Sequence, residues 1–402
     1  MANTIKQKRG TSDPGASDLV VGELAINTTD GGVFTKTDGG TVVEVGSGGG
    51  GGGASAIDDL SDAVTYDSGL SIGLGTGALV SDDGTDNNNT ALGYQALNAT
   101  TSGAGNVGVG YQTLKANTTG IANVAVGNQA LTANTTGNRN VALGDGALVS
   151  CTTGGLNFAV GEAAGQSLTT GTGNFFMGRL AGRNITASGN NVCIGSQSGD
   201  GISGAFSNYN VAVGSDALSA SLTTGLSTAV GGSALVNSTG QSNTGIGYNA
   251  GNTTTSGTNV TCIGYDAEAS SATASNEITL GDANIATLRC NTQTISSLSD
   301  ARDKTDVQEL PEGLDFISKL NPVKFQWQTR DGNGKDGTYE AGFIAQELQS
   351  AQQDADAHYL GLVMDSNPDR LEASYGKLVP MLVKAIQELK SEVEQLKANA
   401  NS

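Results

Sequence analysis

The chain has 402 residues, of which 37% are hydrophobic, 4% aromatic and 60 glycine. That is too little apolar bulk for the core of an ordinary globule of this length, and it suits a repetitive protein whose buried face is narrow. A net charge of −19 excludes the basic footprint of a nucleic-acid binder, and no apolar run approaches the roughly 20 residues of a membrane span.

The first residues lack the apolar core of a signal peptide, which predicts synthesis as a cytoplasmic chain with no membrane insertion. Residues 1–46 read as a small β domain, because apolar and polar residues alternate around DGG turns in GELAINTTDGGVFTKTDGGTVVEV. Residues 47–86 open on a flexible glycine run and continue as an acidic transition. Its SDDGTDNNN stretch has a composition that fits a calcium loop or a set of turns, and turn chemistry accounts for it.

Residues 87–290 form a repeat. NTALGYQAL, NVGVGYQTL, NVAVGNQAL and NVALGDGAL begin at Asn89, Asn106, Asn123 and Asn140. Twelve anchor glycines, from Gly93 and Gly110 to Gly264 and Gly281, are spaced by 17 residues except for one step of 19 and one of 16. Each anchor follows an aliphatic residue or Met (Leu92, Val109, Val126, Leu143, Val160, Met177, and on to Leu280). The residue two before it is usually small, as in Ala91, Gly108 and Ala125, and the third before it is mostly β-branched or aromatic. Strand alternation puts the aliphatic and β-branched columns on one face and the small column on the other. The aliphatic column is expected to stack in a buried row, and constraint on both faces predicts several packed copies of a parallel β-solenoid of about twelve rungs. The sequons at Asn98, Asn117, Asn134 and Asn184 read as turn residues. Four cysteines, Cys151, Cys193, Cys262 and Cys290, show no CxxC pairing and read as small buried hydrophobes, so no metal or cofactor site is expected.

Residues 291–402 change character: 29 of the 104 residues from Ser299 onward are charged, and Phe316, Phe325, Trp327 and Phe343 supply an expected α+β core. The chain ends on a helix in which Leu382, Ile386, Leu389, Val393 and Leu396 follow the 4-3-4-3 spacing of a coiled-coil seam, here a trimerisation element. The same stripe also fits an amphipathic helix folded onto its own domain. DGNGKDG, residues 331–337, reads as a hairpin turn rather than a calcium loop, because Lys335 stands where a ligand belongs.

Catalytic candidates are few. His358 is the only histidine, which leaves little room for a Ser-His-Asp triad. In LSDARDKTD, residues 298–306, Ser299 and Lys304 stand five apart. A lysine serves as base to a serine only when it is deprotonated, and on a helix the two would point about 140° apart, so a turn has to bring them together. The plain alternative is a solvated charged turn.

SDARDK (299–304), LNPVKFQW (320–327), GFIAQEL (342–348) and YGKLVPMLVKAIQEL (375–389) resemble, in that order, the intramolecular chaperone domain of endosialidases and phage tail fibres. The resemblance implies a domain that trimerises a fibre during folding and then cuts itself off, here between Leu298 and Ser299, with Ser299 as nucleophile and Lys304 as base. The family usually has an apolar residue before that lysine. This chain has Asp303, and Asp300 and Asp306 also stand close, so the local charge is expected to oppose a neutral Lys304. The rungs are similar to the head repeats of trimeric bacterial adhesins, and the first residues resemble attachment segments of phage tail fibres. Together these imply a homotrimeric virion tail fibre. Its N-terminus would dock on a tail or baseplate protein, and its shaft would face a host receptor, a glycan or an outer-membrane component. A fibre that degrades surface polysaccharide is the rival reading. It needs paired carboxylates, and only 13 of residues 87–290 are charged.

Overall fold

The computed structural model describes residues 7–10, 14–15, 17, 19, 23–27, 33–36, 41–44, 63–65, 71–85, 87–203, 207–220, 225–285, 287–289, 291, 299–329, 336–365 and 367–401. The DGG turns, the glycine run, Cys290, Leu298 and most of the 331–337 turn lie outside the described residues. The chain divides into two compact units, Met1–Thr136 and Gly137–Ser402.

In the first unit, β1 (Gln7–Gly10) pairs in parallel with β2 (Leu24–Asn27), and β3 (Val33–Lys36) and β4 (Val42–Glu44) follow antiparallel. Leu19, Ala25 and Phe34 form a small core against Val42. The ladder begins with β5 (Ala63–Thr65), antiparallel to β6 (Ile72–Leu74). Strand β6 is parallel to β7 (Thr90–Leu92), so a rung lies inside the segment read as a transition, and the solenoid continues through β8 (Val107–Val109) and β9 (Val124–Val126). The second unit carries nine further parallel rungs, from β10 (Val141–Leu143) to β18 (Glu277–Leu280). The fold is mainly β, a parallel solenoid of about twelve turns.

The anchor glycines explain the period. Their φ angles lie near +130°, as at Gly127, a region closed to L side chains. Within each unit the anchors lie against one another: a Cβ on Gly195 would sit 2.6 Å from the Gly214 carbonyl, whereas the last anchor, Gly281 (φ +77°), faces Ile285.

The buried row is not the expected one. Within the chain the small column points inward, with Ala125, Ala142, Ala159, Ala212 and Ala229 fully buried. The aliphatic column faces out: Val126 is 38% and Leu280 51% exposed, and Leu143 and Val160 are half-buried. The cause lies four residues after each anchor, where Leu97, Leu114, Leu131, Leu148, Leu218 and Leu235 adopt left-handed backbone (φ 49–52°) and are fully buried. A left-handed L residue costs about 1–2 kcal/mol, and burying a leucine offsets it by about 1.5–3 kcal/mol. These leucines fill the space beneath the strand, so only a small residue fits opposite them.

Where the inner column is large, the leucine gives way to glycine. Phe176 sits in the inner column, and a Cβ on Gly182 or Gly165 would come within 2.5 Å or 2.7 Å of its ring. Neighbouring rungs share the filling: Phe176 and Leu148 occupy the space beside Gly165, and Leu235 occupies that beside Gly245 and Gly251.

The repeating asparagines are a buried amide ladder. Asn157 Nδ2 donates to Asn140 Oδ1 (3.1 Å) and to the Gly171 carbonyl (2.9 Å), and Asn157 Oδ1 accepts the Asn174 N–H (3.0 Å). Asn89, Asn106 and Asn123 repeat the pattern in the first unit. Asn117 and Asn134 are also buried, in keeping with turn residues rather than glycosylation sites. Cys151, Cys193 and Cys262 are free and buried.

Beyond the shaft, Phe316, Ala357, Leu360, Leu362, Leu378 and Met381 form the core of the C-terminal domain, with Phe343 packed against it. Its helices are α1 (Leu314–Ile317), α2 (Ala345–Asp354) and α3 (Val379–Ala400). Phe325 and Trp327 do not join this core, contrary to expectation. They lie on and beside the hairpin of β19 (Val323–Gln326) and β20 (Tyr339–Gly342), packed edge to face on each other. The Trp327 indole donates to Glu340 (2.7 Å), a polar tie that keeps the ring half-exposed.

Candidate functional site

The Ser299–Lys304 stretch is built by one tight turn. Asp300 is the N-cap of a 3-10 turn over Ala301–Asp303, and its Oδ1 accepts the Arg302 N–H at 2.9 Å. Lys304 leaves the turn in extended backbone (φ −122°, ψ 138°), with its N–H bonded to the Ala301 carbonyl. The reversal carries its ammonium back five residues. Lys304 Nζ donates to Ser299 Oγ at 2.5 Å and to the Ser299 carbonyl at 3.3 Å. A nucleophile and a candidate base thus stand in hydrogen-bond reach, which is the first condition for proton transfer.

Of the three nearby carboxylates, Asp300 and Asp306 have partners of their own. Asp300 is engaged by Arg302, whose Nε and NH2 groups hold both carboxylate oxygens (3.1, 3.2 and 2.6 Å). This contact keeps the Asp300 carboxyl below its ordinary pKa. Asp306 accepts from Gln308 (2.8 Å), and among the described residues Lys304 forms no ion pair. Every residue from Ser299 to Glu309 is exposed, so the chain by itself supplies none of the burial that would neutralise a lysine. His358 is exposed on a turn of its own, and among the described residues no hydrogen bond joins it to Ser299.

The seam residues of α3 are brought together as a stripe. Leu382, Ile386, Leu389, Val393 and Leu396 are all exposed, while Met381 and Ala385 are buried in the domain. Beside them Glu388 accepts the Leu314 N–H (2.7 Å) and pairs with Lys384 (3.5 Å), fastening α1 to α3. The helix therefore holds its own domain with one face and leaves the apolar stripe uncovered.

Elsewhere chemistry is sparse. Among the described residues no three or more His, Cys, Asp or Glu side chains cluster as a metal site, and no helix is long and apolar enough to cross a membrane. In the 81–89 stretch Asp82 and Asp83 accept backbone N–H groups two residues on (3.0 Å each), which is turn chemistry.

The chain is thus a parallel β-solenoid followed by a small α+β domain that opens on a serine and lysine in hydrogen-bond contact. Residues 299–357 match the family described as chaperone of endosialidase, and the match begins at Ser299 itself. No curated protein and no solved structure matches the chain. A solenoid shaft with this C-terminal segment fits a phage tail fibre or tail spike.

Proposed function

We propose that the chain is the subunit of a homotrimeric phage tail fibre, with an N-terminal domain that docks on the tail or baseplate and a shaft that meets the host surface. The observation that carries this is a pair of uncovered aliphatic surfaces: the outer column of the shaft and the stripe of α3. Both repeat at regular spacing, and three copies packed about an axis would cover both. In this reading the C-terminal domain aligns the chains, because a slip of one rung would leave the outer aliphatic contacts nearly unchanged. Sparse charge along the shaft favours adhesion over degradation of polysaccharide.

Self-cleavage at the Leu298–Ser299 bond belongs to the same reading. Ser299 Oγ would attack the Leu298 carbonyl carbon while Lys304 takes its proton. The C–N bond would break as that proton passes to the freed Ser299 amine, and water would hydrolyse the resulting ester. Trimer packing around residues 299–309 would supply the dry environment that the single chain lacks.

Light scattering and intact mass on the purified chain test the proposal. A trimer is expected, with fragments ending at Leu298 and starting at Ser299. Ser299→Ala and Lys304→Ala should each give uncut trimers, and Leu389→Asp should give monomers or aggregates. A soluble wild-type monomer would overturn the trimer, and a trimer that stays whole would overturn the cleavage.

A further inference from the structure

We propose that the Asp300–Arg302 ion pair is a positioning element that sets the turn delivering Lys304 to Ser299, an inference that rests on the self-cleavage reading. Asp300 makes two kinds of contact. Its Oδ1 caps the 3-10 turn by accepting the Arg302 N–H (2.9 Å), and both its oxygens grip the Arg302 guanidinium, the shortest contact being 2.6 Å. The same side chain therefore ties down the backbone and the side chain of one residue, and that residue is the middle of the turn. The backbone bonds from Asp303 N to the Asp300 carbonyl (3.2 Å) and from Lys304 N to the Ala301 carbonyl (3.3 Å) are long. Their geometry is weak for a turn that must place an ammonium within 2.5 Å of a hydroxyl. The carboxylate supplies what these bonds lack.

The pair has a second consequence. Asp300 pairs with Arg302 and forms no ion pair with Lys304. The residue that seemed to oppose the base is committed to orienting it, and neither Asp300 nor Arg302 need touch the reacting atoms.

The test follows full-length chain released from denaturant, scored by gel and intact mass for cutting and by light scattering for trimers. Asp300→Ala should slow the cut about tenfold, since it removes both the cap and the pair. Asp300→Asn keeps an acceptor for the Arg302 N–H and should slow it only about twofold to threefold. The pH midpoint of the cutting rate should be the same in wild type and in an Asp300→Asn/Arg302→Gln double variant, which removes both charges of the pair, with only the plateau lowered. A shifted midpoint would mean that Asp300 acts on Lys304 through its charge, and would overturn the positioning role. Equal loss in Asp300→Asn and Asp300→Ala would overturn the cap. If wild type stays whole, self-cleavage fails and the turn is judged separately, by NMR amide exchange at Arg302 to Lys304 in the intact chain. Faster exchange in Asp300→Ala than in Asp300→Asn sustains the turn-setting role, and equal exchange removes it.

Discussion

Phe176→Ala tests the volume rule that links the inner column to the left-handed column one turn away. Phe176 is fully buried, and emptying its site should cost about 3–5 kcal/mol. Gly182→Leu should be damaging by itself, because its Cβ would lie 2.5 Å from the Phe176 ring. Overpacking of that kind costs about 1–3 kcal/mol, and a left-handed leucine about 1–2 kcal/mol more. The double variant restores the pattern of Ala142 with Leu148, and the new leucine recovers about 1.5–3 kcal/mol by burial. It should therefore be no less stable than the milder single variant, with a favourable coupling of about 3 kcal/mol. Guanidinium unfolding of the full-length chain, followed by circular dichroism, measures all four corners of the cycle. Additive losses would refute the rule and leave the alternation of Phe with Gly unexplained.

Asn157→Ala should destabilise the shaft by about 2–3 kcal/mol or more in the same assay, because it strands the Gly171 carbonyl and the Asn174 N–H in a buried site, while Asn140 Oδ1 keeps only the Asn157 N–H. Burial pushes the Cys193 thiol up to about 12 and the Cys151 and Cys262 thiols up to about 11. The folded chain keeps these protons where the unfolded chain has lost them, so stability should fall as pH rises from 9 towards 12, and a triple Cys→Ala variant should flatten that slope. Ala125→Asp should prevent folding, since it buries an unpaired charge, whereas Val126→Asp should leave the rung folded and abolish trimers by light scattering. Trimers from Val126→Asp would place the interface elsewhere.

The period, the anchor glycines and the three strand columns were readable because each answers to a local constraint that recurs every turn. Which column faces in was not. Alternation makes the two faces of a strand equivalent, and the residue that decides between them, such as Leu131, lies in a turn where no period of two exists. Left-handed leucine is rare enough that a turn reading does not anticipate it. The asparagines were visible as the first residue of each unit, yet their amide chemistry needs the rungs stacked to appear. Phe325 and Trp327 looked like core because aromatic residues usually are, and the hairpin that carries them left them half-exposed.

At the candidate site, spacing alone left Ser299 and Lys304 undecided between a dyad and a charged turn. The resemblance singled them out, and the structure brings their side chains together. The Asp-x-Arg contact inside the same turn has a readable signal, an Asx cap with a guanidinium two residues on, but spacing does not tell which carboxylates near Lys304 have partners of their own.

The residue just after the anchor glycine is exposed from Tyr94 through Tyr111, Asn128, Asp145, Glu162, Arg179, Ser196 and Ser215 to Tyr248 and Tyr265, with Gly232 and Asp282 half-buried. Aromatic, acidic, basic and neutral groups all occupy this one position, while the residue before it is always the anchor glycine and the one after it is half-buried, or buried at Ala163. Neighbouring slots lie about 4.7–4.9 Å apart, the spacing of adjacent strands. The shaft is thus a rack with interchangeable fittings. Its surface chemistry can be rewritten one rung at a time, with the interior of the fold left as it is.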